Sequence, residues 1–379
     1  MSHTYCIFSA LFPPHLGGIE NYTESLANEL ASSGNTVIVV TSRLSNSNAA
    51  REKMPNGVEV FRLPCHSLMD GRLPIPMHNS EHGKMLRKVA DFKPDRILVN
   101  ARFYPHSLDG VRFASQLHVP VFLIEHGSAY ITLNNPFADV LIRKWENVCT
   151  KQLQRYPLHF AAVSKKSADW LRHFGVTAEA LFPNAINTSD TRGDVNSASN
   201  NSLNRLLSMK SCGNCKLIAT FVGRYIPEKG ISSILESSKR LADEPILFVF
   251  AGSGPLEELI NSQSNHSAIL NLGQLAHKDV ASLLEISDVL CLPSRSEGFS
   301  TTLLEAAAAG CMPITTDVGG AREIGLIPTG YSNEGVSITE HGILLKDAGS
   351  TALQAGLLWA LKNRDARLEK AASLKKRVQ

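Results

Sequence analysis

The chain has 379 residues, of which 43% are hydrophobic, 19% charged and 7% aromatic, and its formal net charge is +3. This apolar content is typical of a packed globular protein and excludes disorder, collagen and coiled coil as descriptions of the whole chain. The small positive charge gives no reason to expect a nucleic-acid partner. At roughly 100 to 200 residues per domain, the length predicts two domains, each with its own core.

The cysteines and the hydropathy pattern bear on the compartment. The seven cysteines are scattered, which favours reduced thiols over a disulfide framework. Cys212 and Cys215 have the C-x-x-C spacing of half a zinc ribbon or a redox motif, but no second pair follows, and we expect no metal there. The start lacks the features of a secretory signal, and no run reaches the roughly 18 apolar residues of a membrane span. We therefore expect a soluble, cytoplasmic protein.

The first half of the sequence alternates between short apolar runs and helical patterns. Residues 5–10 form an apolar run that enters a loop with Gly17 and Gly18, an amphipathic pattern follows over 19–32, and a second apolar run occupies 36–41. This order predicts a βαβ unit. Further β-rich runs occur at 58–62, 96–99, 121–125 and 160–163. Buried strands that alternate with helices predict a parallel, doubly wound sheet.

The alternation stops at 187–204, a stretch rich in Asn, Ser, Thr, Asp and Gly that cannot bury enough apolar surface to fold alone. It then restarts with apolar runs at 216–222, 246–251, 268–272, 289–293 and 312–316. We therefore predict an N-terminal domain over 1–186, a linker over 187–213 and a C-terminal domain over 214–379. Open sheets of this kind bind ligands beyond the carboxyl ends of their strands, so we expect the chemistry in those loops.

The loop after the first strand of the second half carries two cations. Gly223 ends the strand, and Arg224 and Lys229 follow before Gly230 and the next helical pattern. Both cations would lie near a helix N-terminus, whose free amides already favour an anion. The segment indicates a phosphate or diphosphate site, with a solvated basic loop as the alternative. A second glycine-rich turn, 251–256, is about equally consistent with a phosphate loop and with an ordinary tight turn.

Two carboxylates, Glu297 and Glu305, flank the start of an alanine-rich helical pattern. Glu305 would lie about two turns inside the helix among apolar residues, where a lone carboxylate is costly unless it has a partner, and the hydroxyls of a ribose would supply one. The free amides at the helix start, 299–302, would receive sugar hydroxyls or a phosphate. The alternative is a helix-terminal charge at Glu297 and a solvated Glu305.

Two features of the first half are weaker candidates. Gly17 and Gly18 lie between a strand and a helix, which would let a ligand approach the backbone closely. His126 follows the run 121–125 and would lie at a strand tip. Taken alone, the glycines are consistent with a plain turn and the histidine with a structural role.

Together these motifs resemble the retaining glycosyltransferases of family 4, which have the GT-B architecture of two facing Rossmann-like, doubly wound parallel-sheet domains of the α/β class. The most specific element is the E-x7-E pattern of Glu297 and Glu305. Further segments agree with the family in order and spacing: Gly17-Gly18-Ile19-Glu20, Val163-Ser164, Pro183-Asn184, Gly223-Arg224, Lys229-Gly230 and 305–313. The resemblance implies an enzyme that uses a nucleotide-sugar donor.

The resemblance also implies roles for individual residues. Arg224 and Lys229 would bind the donor diphosphate and stabilise the charge of the leaving group. Glu305 would hold the ribose, while Glu297 would lie beside the transferred sugar. His126 would contact the donor sugar near the reaction centre. The other donor-binding positions that it implies are Gly17, Gly18, Gly223, Gln274, Leu275, Phe299, Ser300 and Thr301.

The mechanism that the resemblance implies is a front-face substitution through an oxocarbenium-like transition state, in which the acceptor hydroxyl loses its proton to a donor phosphate oxygen. Two fixed cations and helix amides would stabilise the leaving group without a metal. The sequence also has no Asp-x-Asp pair. We therefore expect a retaining, metal-independent hexosyltransferase that needs no cofactor.

Two features depart from the family pattern. A last helical pattern at 351–363 is followed only by a basic tail, 364–379, whereas the family usually has a further helix that crosses back to the first domain. The predicted linker is also longer than a usual hinge, and a long loop, 327–335, follows Gly319 and Gly320. We expect domain closure to differ from the family pattern, while the diphosphate residues are unaffected.

The acceptor and the base are less determined. A UDP-linked donor is favoured on family frequency, and the acceptor would be a hydroxyl of a glycan or a lipid-linked molecule in surface polysaccharide or glycoconjugate synthesis. Two basic amphipathic patterns, 84–92 and 137–155, are consistent with peripheral contact to the anionic inner face of a membrane, and equally with inward packing of their apolar faces. The other functions left open are a GT-B-like nucleotide-sugar epimerase and a sugar-nucleotide-binding protein without turnover.

Overall fold

The computed structural model describes residues 2–15, 17–45, 48–68, 71–132, 135–186, 206, 215–263 and 268–378. Contacts divide the chain into two compact units, Met1–Asn184 and Ala185–Gln379. The predicted linker, 187–213, lies outside the described residues apart from Leu206, so the domain bounds stay a prediction.

The first unit alternates strands and helices, as the apolar runs predict. Its described elements in chain order are β1 (Thr4–Ser9), α1 (Gly18–Ser32), β2 (Thr36–Arg43), β3 (Arg51–Lys53), β4 (Glu59–Leu68), β5 (Leu73–Pro76), α2 (Ser80–Ala90), β6 (Arg96–Asn100), α3 (Pro105–Leu117), β7 (Val121–Glu125), α4 (Pro136–Leu153), β8 (His159–Ala162), α5 (Lys165–Arg172) and β9 (Ala180–Leu181).

The strands of the first unit form one mostly parallel sheet in the order β3-β4-β2-β1-β6-β7-β8-β9. Phe8 of the central strand β1 pairs with Val40 on one side and Val99 on the other. The segment β4-β2-β1-β6-β7-β8 has the strand order of a doubly wound sheet, which confirms the predicted class. Two short strands that the sequence did not predict, β3 and β5, run antiparallel to β4 at this edge.

The core of the first unit lies on both faces of this sheet. Successive side chains of a strand point to opposite faces, and in β1 Cys6 and Phe8 join one apolar cluster while Ile7 joins another. Gly110 of α3 lets that helix approach the sheet, because a Cβ there would lie 2.7 Å from the Phe8 ring. A strand with two buried faces is therefore apolar throughout rather than alternating.

The second unit repeats the plan. Its described elements are β10 (Leu217–Val222), α6 (Ile231–Arg240), β11 (Ile246–Ala251), α7 (Glu257–Gln263), β12 (Ile269–Asn271), α8 (His277–Ile286), β13 (Val289–Leu292), α9 (Thr301–Ala309), β14 (Met312–Thr316), β15 (Val336–Ile338), β16 (Ile343–Leu345), α10 (Ser350–Lys362) and α11 (Arg364–Val378). The sheet order is β12-β11-β10-β13-β14-β16-β15, with β15 antiparallel to β16. The first five strands have the order 3-2-1-4-5 of a nucleotide-binding sheet.

The end of the chain differs from the prediction. Residues 364–379, predicted as a basic tail, contain the helix α11, so that prediction was wrong. Arg367 of this helix is buried and donates to Asp288 Oδ1 at 2.9 Å. The buried positions of α11 follow a helical spacing, but one of them is an arginine, which hides the stripe from hydropathy: Arg367, Ala371 and Leu374.

The two basic amphipathic patterns have different outcomes. In α2, Met85 and Val89 are buried in the core, so inward packing is confirmed there. In α4, Phe137 is 86% exposed and Leu141 67%, and Val148 is exposed as well. Among the helices that the structure describes, none is both long and apolar enough to cross a bilayer.

Candidate functional site

The loop after β10, residues 223–230 and called here the cation loop, carries the two predicted cations. Gly223 opens it with φ +149°, and a short 3-10 turn, Pro227–Lys229, closes it before α6. Arg224 is exposed, and among the described residues it forms no hydrogen bond or ion pair. Its guanidinium is therefore available for an anion at the carboxyl end of the sheet.

The loop after β13, residues 293–300 and called here the carboxylate loop, meets the cation loop directly. Lys229 Nζ lies 2.5 Å from Glu297 Oε1, and the two side chains are 21% and 11% exposed. The same oxygen of Glu297 accepts a hydrogen bond from Ser294 Oγ at 2.8 Å. The structure thus brings together two predicted site residues that are 68 positions apart.

Close backbone contact holds the two loops in this arrangement. Gly230, with φ +73°, ends the cation loop where a Cβ would overlap the carbonyl group of Pro293. Arg295 N–H donates to Glu228 O at 2.8 Å. Gly230 is therefore required both for its left-handed backbone and for the approach of the carboxylate loop.

Helix α9 begins at the end of the carboxylate loop. Ser300 is its N-cap and accepts from Leu303 N–H at 3.4 Å, while Phe299 is buried. The amides of Thr301 and Thr302, in the first turn, have no acceptor within the helix and lie at the positive end of its dipole. The predicted anion-binding helix start is formed here by these two amides.

Glu305 lies one turn further along α9 and is half-buried. Burial raises its pKa above the ordinary value, and the nearby charge of His277 partly offsets that rise. Among the described residues, the Glu305 carboxylate has no hydrogen-bond or ion-pair partner. A half-buried carboxylate in this state gains from any ligand that donates hydrogen bonds to it.

The glycine-rich turn 251–256 is attached to the cation loop. Tyr225 N–H donates to Ser253 O at 2.8 Å. A Cβ on Gly252 would overlap the cation loop, and one on Gly254 would lie 2.8 Å from the Tyr225 carbonyl oxygen. Close backbone approach explains both glycines, which favours the tight-turn interpretation over a phosphate loop.

The positions matched to nucleobase recognition follow β12. Gln274 is exposed, and its Oε1 accepts from Ser253 Oγ at 3.5 Å, while Leu275 is half-buried. They lie beside the turn that is attached to the cation loop.

The predicted glycines of the first unit are explained locally. Gly17 is the N-cap of α1 and has extended backbone, with φ 177°. A Cβ there would overlap the Glu20 carboxylate, which pairs with His15 Nδ1 at 2.5 Å. Gly18 has open space around a Cβ, so nothing in the described residues prevents a ligand from approaching it.

His126 lies after β7, at the strand tip where the sequence placed it. Its Nε2 lies 3.0 Å from Asn100 Oδ1, and its ring meets Tyr22 edge-on at 4.7 Å. Burial lowers the pKa of His126 to about 3. The imidazole is therefore neutral at physiological pH.

Some partners of these residues were not found from the sequence. Ser294 lies only three positions before Glu297, and a buried serine in a polar loop gave a local signal that could have been used. His277 beside Glu305 and Asn100 beside His126 gave none, because each is far away in sequence. The residues Gly17, Gly18 and His126 lie in the first unit, and all other predicted site residues lie in the second.

Comparisons with known proteins agree with the two halves of the chain. Residues 16–190 match the family described as Glycosyltransferase Family 4, and residues 213–379 match Glycosyl transferases group 1. An uncharacterized glycosyltransferase of Methanocaldococcus jannaschii is 24% identical over 376 residues, which cover 95% of this chain and 90% of the relative. A phosphatidylinositol N-acetylglucosaminyltransferase of Homo sapiens is 24% identical over 339 residues, which cover 85% of this chain and 64% of the relative.

Solved structures share the fold. The sucrose-phosphate synthase from Thermosynechococcus elongatus superposes with a TM-score of 0.70 at 17% identity, covering all of this chain (100%) and 94% of that one. Anabaena HepE in complex with UDP and glucose superposes with a TM-score of 0.68 at 15% identity, covering 99% and 94%.

Proposed function

This chain belongs to the family 4 glycosyltransferases and has the two parallel-sheet α/β domains of the GT-B type, and we propose that it is a retaining enzyme that transfers a sugar from a UDP-sugar to an acceptor hydroxyl. The observation that carries this proposal is the 2.5 Å contact of Lys229 with Glu297. It places the ammonium group and the first E-x7-E carboxylate together beyond the carboxyl ends of one sheet, where such sheets bind nucleotides.

The cation loop binds the donor diphosphate in this proposal. Arg224 offers a guanidinium that no described residue engages. Lys229 has three donors on its ammonium group and uses one of them for Glu297. The amides of Thr301 and Thr302 add the positive end of α9. Fixed positive groups of this kind stabilise the charge that develops on a leaving diphosphate without having to reorganise.

Glu305 holds the ribose. Its half-buried carboxylate is without a partner among the described residues, and two vicinal hydroxyls of a ribose would each donate a hydrogen bond to it. Those bonds favour the ionised form and would lower the raised pKa of Glu305. The segment with Gln274 and Leu275 recognises the base, mainly through backbone groups.

The reaction breaks the bond between the anomeric carbon and the diphosphate oxygen, and a bond to the acceptor oxygen forms on the same face. The acceptor proton passes to the departing phosphate oxygen, so no separate base is required. Glu297 lies beside the transferred sugar, and Arg224 and Lys229 stabilise the nucleoside diphosphate that leaves. The family resemblance assigns His126 a contact with the donor sugar, and its neutral imidazole suits hydrogen bonding to hydroxyls.

Metal independence follows from the same charges. The proposed diphosphate site has two cations and two helix amides, which supply the neutralisation that a divalent ion provides in other transferases. Glu297, the acidic group of the carboxylate loop, is engaged with Lys229 and Ser294.

The donor and the acceptor class are supported by relatives. Anabaena HepE binds UDP and glucose in its solved structure, and the human relative is named for transfer of N-acetylglucosamine to phosphatidylinositol. We therefore favour a UDP-sugar donor and a lipid-linked or glycan acceptor in surface polysaccharide or glycoconjugate synthesis. The exposed apolar and basic surface of α4 supports peripheral contact with the cytoplasmic face of a membrane.

Calorimetric titration with UDP, GDP and ADP in the presence of a chelator tests the donor site. We expect selective binding of UDP to the wild type and at least a tenfold loss of affinity in Glu305→Ala. Glu369→Ala, which removes an exposed glutamate of α11, is the matched control and should bind as the wild type does. If none of the three nucleotides binds, the donor-site proposal fails, and binding that requires added Mg²⁺ would refute metal independence.

A further inference from the structure

A cluster of two histidines and an aspartate lies in the first unit and includes none of the residues proposed for sugar transfer. His78 Nε2 lies 2.9 Å from Asp109 Oδ1, and His82 Nε2 lies 3.3 Å from Asp109 Oδ2. One ligand atom from each of the three residues lies within 4.8 Å of the others. Asp109 and His82 are buried, while His78 is 56% exposed.

These separations fit a small tetrahedral cation. Zinc binds imidazole nitrogen and carboxylate oxygen at about 2.0–2.2 Å, so two ligands of a tetrahedral zinc are about 3.3–3.5 Å apart. The observed separations of 2.9 and 3.3 Å lie near that value, and sub-ångström adjustments of the side chains would accommodate the ion. The exposed side of His78 leaves room for a water as fourth ligand.

The sequence pattern agrees with this geometry. His78 and His82 are four residues apart with Glu81 between them, the H-x-x-E-H spacing that occurs in zinc sites. Glu81 is turned away, because its carboxylate forms two hydrogen bonds with Arg43 at 2.9 and 3.0 Å. The glutamate that would activate a water in a hydrolase is therefore engaged elsewhere, so the geometry favours a structural ion.

A buried imidazole beside the cluster adds an independent observation. His106 lies one helical turn before Asp109 on α3, and its Nε2 lies 3.0 Å from the Val40 carbonyl oxygen. A carbonyl oxygen only accepts, so this nitrogen carries the proton and Nδ1 has a free lone pair. Nδ1 is buried and has no hydrogen-bond partner among the described residues. A nearby cation would be stabilised by this lone pair.

We propose that His78, His82 and Asp109 bind one zinc ion per chain, with a water as the fourth ligand. The ion would attach the start of α2 to the middle of α3, two elements that are joined here by side chains of the cluster. Arg112 Nη1 lies 3.9 Å from Asp109 Oδ1 and is 45% exposed, so it can move into solvent when the carboxylate binds a cation. This site is separate from the proposed transfer chemistry.

Zinc titration of the chelator-treated full chain against a chromophoric competitor tests the site. We expect one zinc per wild-type chain and at least a tenfold loss of affinity in His78→Ala and in Asp109→Asn. His78 is exposed, so its variant removes a ligand without opening the core, and asparagine keeps the shape of Asp109. Zinc should also raise the melting temperature of the wild type but not of the two variants.

His159→Ala is the matched control, because His159 forms an exposed pair with Glu179 at 2.8 Å and has no third ligand among the described residues. It should bind zinc as the wild type does. Cobalt substitution should give the visible spectrum of a tetrahedral nitrogen and oxygen site without a thiolate charge-transfer band. Absence of stoichiometric zinc in the wild type, wild-type affinity in both variants, or a thiolate band would each overturn the proposal.

Discussion

Lys229 and Glu297 act on each other before any donor arrives. Both side chains are largely buried, at 21% and 11% exposure, so their attraction is screened less than that of a surface pair. The contact holds the long lysine side chain in one position, and Ser294 fixes the carboxylate. A donor diphosphate would therefore meet a cation that is already oriented, which reduces the entropy lost on binding.

Removal of the Lys229 ammonium should abolish turnover rather than only weaken binding. We expect Lys229→Ala to lower kcat about 10²- to 10³-fold, as loss of one preorganised charge-stabilising group does, with Lys229→Arg retaining part of the rate because its geometry differs. Lys239→Ala, an exposed lysine of α6, should leave kcat unchanged. The measurement is sugar release and sugar transfer from a labelled UDP-sugar.

The products of the same assay separate the rival functions. A transferase yields a glycosylated acceptor, whereas an epimerase releases a free altered sugar without an acceptor. A protein without turnover would show neither product, and its Lys229→Ala variant would lose only affinity. A wild-type kcat in Lys229→Ala would contradict the role assigned to this residue.

His126 predicts a dependence of stability on pH. Burial lowers its pKa from the ordinary 6.5 to about 3 in the folded chain, so between these values the unfolded chain binds a proton that the folded chain does not. Stability contributed by the neutral imidazole is therefore lost as the pH falls below about 6.5. We expect His126→Asn to show a shallower fall of unfolding free energy between pH 6.5 and 4.5, measured by denaturant titration.

The control for this comparison is His118→Asn. His118 is exposed at the end of α3 and has φ +57°, a left-handed backbone that asparagine tolerates. This variant should follow the pH profile of the wild type. Equal slopes for His126→Asn and the wild type would contradict a neutral, buried His126.

At the scale of elements, α4 presents an apolar surface that the rest of the described chain does not cover. Phe137, Val140, Leu141 and Val148 are exposed, and Arg143 and Lys144 lie among them. The opposite side of the helix is held firmly, since Arg102 donates to Glu146 Oε2 at 2.7 Å and to Thr150 Oγ1 at 2.9 Å. A rigidly held helix with apolar and basic groups outward is suited to an anionic bilayer surface.

The α4 surface predicts binding to anionic vesicles. We expect the wild type to co-sediment with vesicles that contain phosphatidylglycerol but not with phosphatidylcholine alone, and added salt should weaken the binding. The double variant Phe137→Ser with Leu141→Ser should bind at least tenfold more weakly, because each large apolar side chain contributes about 1.5–3 kcal/mol when buried. Ile327→Ser, also an exposed apolar position, should bind normally. Equal binding of the double variant would exclude α4 as the contact.

Elements with two buried faces were predictable, whereas edges and charged helices were not. The apolar runs at 5–10 and 246–251 predicted β1 and β11, because a central parallel strand is apolar at every position. Strands β3 and β5 have partners only through β4, and three residues such as Arg51–Lys53 carry no period to recognise. In α11, the buried Arg367 gains its partner Asp288 from a distant loop, which no local pattern reveals.

The candidate site shows the same limit. Arg224, Lys229, Glu297 and Glu305 were selected from the sequence as chemistry-bearing residues of strand-end loops, and their loops do follow β10 and β13. The direct contact of Lys229 with Glu297 was not predictable, because it depends on how closely the two loops approach each other at Gly230.

At the scale of the whole molecule, the chain consists of two sheets with a similar plan but different site residues. The second unit, Ala185–Gln379, contains both cations and both carboxylates of the proposed donor site. Gly18 and His126, which lie in the first unit, contribute little charge, since one is a glycine and the other is neutral. Most of the donor affinity should therefore reside in the second unit, while transfer needs both.

Separate expression of the two units tests this division. We expect Ala185–Gln379 to fold alone and to bind UDP within about tenfold of the full chain, because about 1.4 kcal/mol is the most that the missing contacts would then supply. It should show no sugar transfer. Met1–Asn184 should fold without binding UDP, and mixing the two units provides the control for activity that requires both. Loss of UDP binding by a folded second unit, or UDP binding by the first, would contradict a donor site built almost wholly on one sheet.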